Sequence, residues 1–343
     1  MQLRFYKNKR ILVTGHTGFV GSWFSLLLFS LDADIIGFSL HPPSNPYLYN
    51  YLNLNKEITD IKADISNPAI ISKTIKEYEP EIIIHLAAQP ILLDSYETPH
   101  ATFLTNTVGT LNLLEAERKY GNAKTILCIT TDKVYENTGI TAYKETDRLG
   151  GSDPYSSSKS CAELIVNSYK NSFFQGIGIA TARAGNIIGG GDWGRHRLMP
   201  DLVSNKKVII RYPNATRPWT YILDVLDGYT TLIEALHKNP ETYSEGWNFS
   251  SDSNKTVIEL VKEVEKYRNV TYEIKKTKSH EEKSLLLNSR KSKERLGWKA
   301  KYNFEETILH TVSWYNNFNS TKTKTDVYEL TLKQLQDYFQ IKF

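Results

Sequence analysis

Over the first half of the chain, short β-branched and aliphatic runs alternate with stretches in which apolar positions recur every three or four residues. Residues 10–14, 35–38, 58–62, 82–85, 125–129 and 176–181 read as strands, and 19–31, 69–78, 101–120 and 156–174 carry the helical period. Such regular alternation predicts an α/β fold built on a doubly wound parallel sheet, with right-handed crossovers and ligand sites at the strands' carboxyl ends. After Asn186 the pattern breaks into the glycine-rich loop GGGDWG and an irregular stretch holding Arg195, Arg197, Arg211 and Arg217. A helical pattern at about 224–236 returns to the first lobe, and a second lobe resumes near Lys255 with a helix at 257–267, a short strand and a helix ending at Leu296, Gly297 and Trp298. Residues 327–339 are amphipathic and predict a docking helix. The expected division is a dinucleotide-binding domain of 1–186 plus about 221–250, and a smaller α/β substrate-binding lobe of 187–220 plus about 251–343.

A chain of 343 residues with 40% hydrophobic content can bury a sizeable core. Its net charge of +4 is spread over scattered lysines, so neither nucleic acid nor a membrane surface is an expected partner. Two cysteines, Cys128 and Cys161, argue for a reducing compartment and against a disulfide framework. Lys7, Lys9 and Arg10 followed by an apolar stretch at 23–31 imitate a secretory signal, but the run is short and no small-residue cleavage site follows. The expectation is a cytoplasmic protein.

The loop GHTGFVG follows the first strand and opens a helix, the context in which Gly15, Gly18 and Gly21 let backbone approach a pyrophosphate at a helix N-terminus. This is the Rossmann arrangement. Asp64 is placed to accept from an adenine amino group, and HLAAQ (85–89) supplies small residues where a dinucleotide passes close to the sheet. The second strand runs into Phe38, Ser39, Leu40 and His41, with neither an acid for a ribose 2′-hydroxyl nor an arginine for a 2′-phosphate, so these residues leave NAD and NADP open.

The chemistry concentrates in two motifs. In YSSSK, Tyr155 and Lys159 stand one helical turn apart, so the ammonium is expected to favour the phenolate and make the tyrosine a usable base. In TTDKVY (130–135), Thr131, Asp132 and Lys133 set a hydroxyl, a carboxyl and an amine side by side at the end of an apolar run. Oxidation of an alcohol has no use for the acid and the amine; removal of a neighbouring hydroxyl does. A solvated strand-end pair is the competing reading of Asp132 and Lys133, and a surface charge that of Arg197.

GHTGFVGSW, LAAQP, TNTVGTLNLLEA, TTDKVYEN, LGGSDPYSSSKSCAEL, RAGNIIGGGDW and RPW, with HEEKSLLLNS, LGWKAKY and ELTLKQLQDY in the tail, together resemble the extended short-chain dehydrogenase/reductase family. Within it they look most like the nucleotide-sugar 4,6-dehydratases, where Lys133 stands in place of the glutamate of the dTDP-glucose and GDP-mannose enzymes. The resemblance implies a lyase that turns CDP-glucose into CDP-4-keto-6-deoxyglucose and water through tightly bound NAD, with no metal. Implied catalytic residues are Thr131, Asp132, Lys133, Tyr155 and Lys159. The implied cofactor set is Gly15, Thr17, Gly18, Phe19, Val20, Gly21, Ser39, Asp64, Ile65, Leu86, Ala87, Ala88 and Gln89, with Tyr155 and Lys159. The implied substrate contacts are Gln89, Ser95, Tyr96, Asn186, Arg197 and Arg217. Val20 stands where the subgroup carries lysine, and Thr220 with Tyr221 where it carries glutamine and histidine. A nucleotide-sugar epimerase, a dehydratase for another NDP-hexose and a non-catalytic dinucleotide sensor are the competing functions, the last disfavoured by retention of both Tyr155 and Lys159. Apolar positions beyond one core face on 101–120 and 156–174 point to a homodimer or higher homo-oligomer, with simple core packing as the alternative.

Overall fold

The computed structural model describes residues 3–42, 46–139, 142–204, 207–275, 285–321 and 323–341; the first five residues of HEEKSLLLNS lie outside them. Among the described residues twelve strands occur in chain order: β1 (Arg10–Thr14), β2 (Asp34–Ser39), β3 (Thr59–Lys62), β4 (Ile82–His85), β5 (Thr125–Ile129), β6 (Gly178–Ala184), β7 (Asn186–Ile188), β8 (Val208–Ile210), β9 (Thr216–Tyr221), β10 (Gly246–Phe249), β11 (Asn254–Thr256) and β12 (Tyr272–Ile274). Seven of them form one sheet in the order β10-β6-β5-β4-β1-β2-β3, parallel at every pairing. The order reverses beside β1, which leaves a crevice at the carboxyl ends of β1 and β4.

Strands β1, β4 and β5 are buried along almost their whole length because helices cover both faces, which is why they read as unbroken apolar runs. Leu12, Ile36, Ile83 and Ile126 pack against the helices of one face, and Ile11, Val13, Ile82, Ile84 and Leu127 against those of the other. The helix Ile222–Lys238 and strand β10 return the chain to this sheet, with Asn248 in register with Arg183. The remaining strands make two small sheets, β11-β9-β7 and β12-β8.

Two expectations needed correction. The single helix at 101–120 is interrupted: Pro99–Phe103 runs into a π turn at Leu104–Val108 before Gly109–Tyr120 continues. An extra residue per turn turns Asn106 inward, where it serves the loop after β4. The seventh strand, β10, was not expected, since four residues at a sheet edge carry too little pattern to show.

The tail forms the helix Lys324–Phe339, capped by Thr323, whose Val327, Thr331, Leu335 and Tyr338 are buried. Tyr338 donates to Asp224 at 2.5 Å and Tyr221 donates to Gln334 at 3.0 Å, so the tail closes over the start of Ile222–Lys238. No helix among the described residues is long and apolar enough to cross a membrane.

Candidate active site

The glycine loop crosses β4 at close range. Gly15 has φ +74°, and a Cβ there would lie 2.7 Å from the Ala87 nitrogen and 2.8 Å from the Leu86 carbonyl carbon; one on Gly21 would lie 2.2 Å from the Gly15 oxygen. Only glycine permits both the backbone conformation and the contact. The helix Phe19–Ser30 begins at Gly18 with no side-chain cap, leaving its first amides directed at whatever fills the crevice. Thr17 bonds Ser39 at 2.8 Å and donates to the Leu40 carbonyl, tying the loop to the end of β2. These features fit the pyrophosphate of a dinucleotide.

Around that loop several expected cofactor residues are already engaged. Asp64 accepts from the Ser66 amide at 2.8 Å, while Asn112 donates to the carbonyls of Ile65 and Ser66 and holds the turn in place. Asn106 clamps Gln89, accepting from its amide at 2.8 Å and donating to its carbonyl at 3.1 Å, and also donates to Ser158. The Gln89 side chain folds back onto Ile91 and Thr102. Ser95 is fully buried and donates to the Leu92 carbonyl, whereas Tyr96 on the same short helix, Leu92–Glu97, is 57% exposed. Asn106, Asn112 and His16, whose buried ring sits 3.0 Å from Asp60, went unremarked in the sequence; polar residues in otherwise apolar surroundings were the available signal.

Asp153 caps the helix Pro154–Ser172 through the Ser156 amide, which puts Tyr155 in the first turn and Lys159 one turn on. The expectation that Lys159 lowers the tyrosine pKa needs correction. Lys159 instead donates to the Ile129 carbonyl at 3.0 Å, and burial lowers it to about 8. Burial likewise pushes the Tyr155 phenol up to about 12, opposed by a hydrogen bond to Thr131 and by the Arg197 guanidinium, with Asp132 working against them. In this environment a positive charge brought close to Tyr155 favours the phenolate.

Beyond β5 the chain turns through a short 3₁₀ segment, Asp132–Val134, started by the Thr131 side chain. Asp132 is buried, contrary to a solvated strand-end pair. Its Oδ1 accepts from Thr131 at 2.9 Å and lies 3.4 Å from the Lys133 ammonium; its Oδ2 is buried with no hydrogen-bond partner. That oxygen faces Gly185, where a Cβ would come within 3.3 Å of it. The next residue, Asn186, registers with Trp219 across β7 and β9, so Asn186 and Arg217 project from the same face of the small sheet. Asn186 Oδ1 is likewise buried and unpartnered, and Arg217, itself buried, donates to the Thr216 carbonyl. Thr220 and Tyr221 turn into the core, the former joined to Ser251 and the latter to Gln334. Arg197 is no free surface charge, since Asp192 holds it at 2.9 Å.

Beneath the motif lies a buried ion pair. Glu163, one turn beyond Lys159, accepts from Arg183 Nε and Nη2, both at 2.8 Å, and from Thr130 at 2.5 Å and Thr181 at 2.6 Å. Burial alone would raise this carboxyl, but Arg183 and the two hydroxyls hold it below its ordinary value. A cavity of about 360 Å³ opens beside Lys133, bounded by residues 135–137 and 148–153 and by Ser156.

A family model described as GDP-mannose 4,6 dehydratase matches residues 12–311. The chain belongs to the GDP-mannose 4,6-dehydratase family. Among curated relatives of this family, CDP-glucose 4,6-dehydratase of Salmonella typhimurium is 39% identical over 330 residues, 91% of each chain. A solved structure of dTDP-glucose 4,6-dehydratase from Bacillus anthracis, in complex with NAD, is 26% identical with a TM-score of 0.77, covering 91% of this chain and 98% of that one. UDP-glucose 4-epimerase from Thermotoga maritima shares the fold, with 24% identity, a TM-score of 0.78 and coverage of 90% and 99%.

The buried lysine yields a pH prediction. A lysine held at about 8 in the fold and near 10.5 when unfolded binds fewer protons in the folded state between those values, so stability rises with pH across that window. In cofactor-free protein, wild type should therefore gain about 3 kcal/mol relative to Lys159→Met between pH 8 and 10.5. Denaturant titrations at several pH values check this; a gap that does not change with pH contradicts it.

Proposed function

We propose that this chain is an NAD-dependent lyase that converts CDP-glucose into CDP-4-keto-6-deoxyglucose and water. The observation that carries the reading is the buried Asp132 carboxyl, bonded on one oxygen by Thr131 and Lys133 and unpartnered on the other beside Gly185. An epimerase has no use for such an acid. The nucleotide is read from the Salmonella relative. Gly15, Thr17, Gly18, Phe19, Val20, Gly21, Ser39, Asp64, Ile65, Leu86, Ala87, Ala88 and Gln89 would line the dinucleotide, with Tyr155 and Lys159 at its nicotinamide end. The chemistry NAD would supply there is uptake of the C4 hydride and its return to C6, completed by a solvent-derived proton at C5. Asn186 and Arg217 would hold the diphosphate, with Arg197 near Tyr155, and Ser95 or Tyr96 would meet the sugar after adjustment of their loop.

Tyr155 takes the C4 hydroxyl proton, with Thr131 sharing the hydrogen bond. The resulting ketone acidifies the C5 hydrogen, so loss of that proton and of the C6 hydroxyl opens a double bond between C5 and C6. Asp132 protonates the departing hydroxyl. Lys133 either takes the C5 proton as a free amine or stays charged and stabilises the enolate. The first role needs a proton moved from lysine to aspartate, which costs about 9 kcal/mol in water from ordinary pKa values.

The proposed division follows from sheet membership: the large sheet and its helices for the cofactor, 187–220 and about 251–343 for the sugar. A homodimer is supported by Leu104, Val108 and Leu111, each more than a third exposed at i, i+4 and i+7 spacing, and by Leu164, 58% exposed on the neighbouring helix. The cytoplasmic setting is read from the scarcity of cysteine, two in 343 residues, and cell fractionation would test it.

Incubation with CDP-, dTDP-, UDP- and GDP-hexoses should give loss of one water from CDP-glucose first and fastest; loss from another nucleotide alone would contradict the substrate, and inversion without loss would contradict the reaction. Lys133→Ala should still reduce bound NAD on substrate addition yet stall before water is lost, with slow deuterium entry at C5 in heavy water. Lys133→Arg should restore part of the elimination under the charged role and none under the base role. Unchanged dehydration by Lys133→Ala would leave neither role standing. In sedimentation, Val108→Glu with Leu164→Glu should convert a dimer to a monomer; a wild-type monomer contradicts the assembly.

A further inference from the structure

The loop that carries Arg197 is fastened at both ends. At its start, Asp192 donates its amide to the Tyr315 hydroxyl at 2.9 Å, accepts from that hydroxyl at 2.6 Å, and caps Gly194. Trp193 packs among Tyr51, Trp314, Tyr315 and Phe318. At its far end the loop reaches across to the short helix Leu92–Glu97, a segment 101 residues earlier that carries Tyr96. There Arg195 donates to Asp94 Oδ2 at 3.3 Å, while His196 Nε2 stands 3.9 Å from Asp94 Oδ1.

Two features set this contact apart from an ordinary surface pair. Asp94 Oδ1 is buried and has no hydrogen-bond partner, although His196 lies just beyond reach. His196 itself adopts φ +60°, a conformation costing a non-glycine residue about 1–2 kcal/mol, which persists where the surroundings over-determine it. Exposed ion pairs add little to global stability, about 0–1 kcal/mol, and Arg195 is 73% exposed, so the contact bears on the local position of the loop more than on the stability of the fold. What it does do is join the Arg197 loop to the helix that carries Tyr96.

We propose that Asp94 is a positioning residue: through Arg195 and His196 it clasps the Arg197 loop to the Tyr96 helix, and so fixes the two walls between which the nucleotide sugar is held. The clasp acts through its neighbours and touches no reacting atom. Because it rests on the nucleotide-sugar reading, its test has one arm that needs no substrate. Arg195→Ala, at an exposed position, and Asp94→Ala should each raise the KM for CDP-glucose about tenfold or more, since small misplacements of binding groups are costly. Turnover at saturation and NAD content should stay near wild type. In ligand-free protein, amide exchange at 193–198 should quicken in both. The charge swap Asp94→Arg with Arg195→Asp should return KM and exchange toward wild type. Arg195→Ala with unchanged exchange overturns the clasp whatever the substrate proves to be, and so does a swap that restores neither quantity. If wild type turns over no nucleotide hexose, the function falls and the exchange arm alone decides the clasp.

Discussion

The buried pair of Glu163 and Arg183 is the interaction on which the site's geometry depends. Glu163 lies on the same face of Pro154–Ser172 as Tyr155 and Lys159, and its two oxygens take four hydrogen bonds from Arg183, Thr130 and Thr181. Arg183 passes the connection on to the Tyr135 hydroxyl at 2.7 Å, and Tyr135 donates to Asn248 on β10. One carboxylate thus registers the helix bearing Tyr155 against β5, β6, the turn bearing Asp132 and the last strand of the sheet. A buried ion pair is poor evidence of added stability, and removing one partner leaves an uncompensated charge. Its value here is positional. Thr130, bonded to Glu163, immediately precedes Thr131.

Burial that makes the framework rigid also raises the energy of every charge inside it. Tyr155 and Lys159 are both pushed toward their neutral forms, and His85, buried below them between Thr14 and Thr110, is lowered to about 3 first by burial and then by Lys159. The resting site therefore favours an uncharged phenol. Positive charge brought close to it, from Arg197 or from a cationic nicotinamide, has a large effect in so dry a setting. Coupling the tyrosine's basicity to occupancy of the site would keep oxidation from starting before cofactor and sugar are in place.

Much of the fold was legible because its physics is local. Parallel strands covered on both faces announce themselves as apolar runs, and a glycine loop between a strand and a helix has few other uses. Tyr155, Lys159 and the Thr131–Lys133 turn were legible as types and spacings. Contacts made at long range were not. Glu163 on a helix looks like a solvated residue; the one hint was Arg183, a charge inside the otherwise small and apolar run of β6, which demanded a partner. Asn106 was hidden by a π turn that spacing alone does not reveal, and β10 by its shortness. The pairing of Asp94 with Arg195 left no trace in the sequence, because neither neighbourhood has a pattern that calls for the other.

Intramolecular transfer requires that one hydride travel from C4 to C6 of the same sugar. CDP-glucose carrying deuterium at C4, incubated with enzyme and a large excess of unlabelled NAD and followed by mass spectrometry and NMR, tests it directly. The 4-keto-6-deoxy product should carry the deuterium at C6, with none entering the free NAD pool. Deuterium lost to free cofactor, or a product bearing it at C4, would rule out intramolecular transfer.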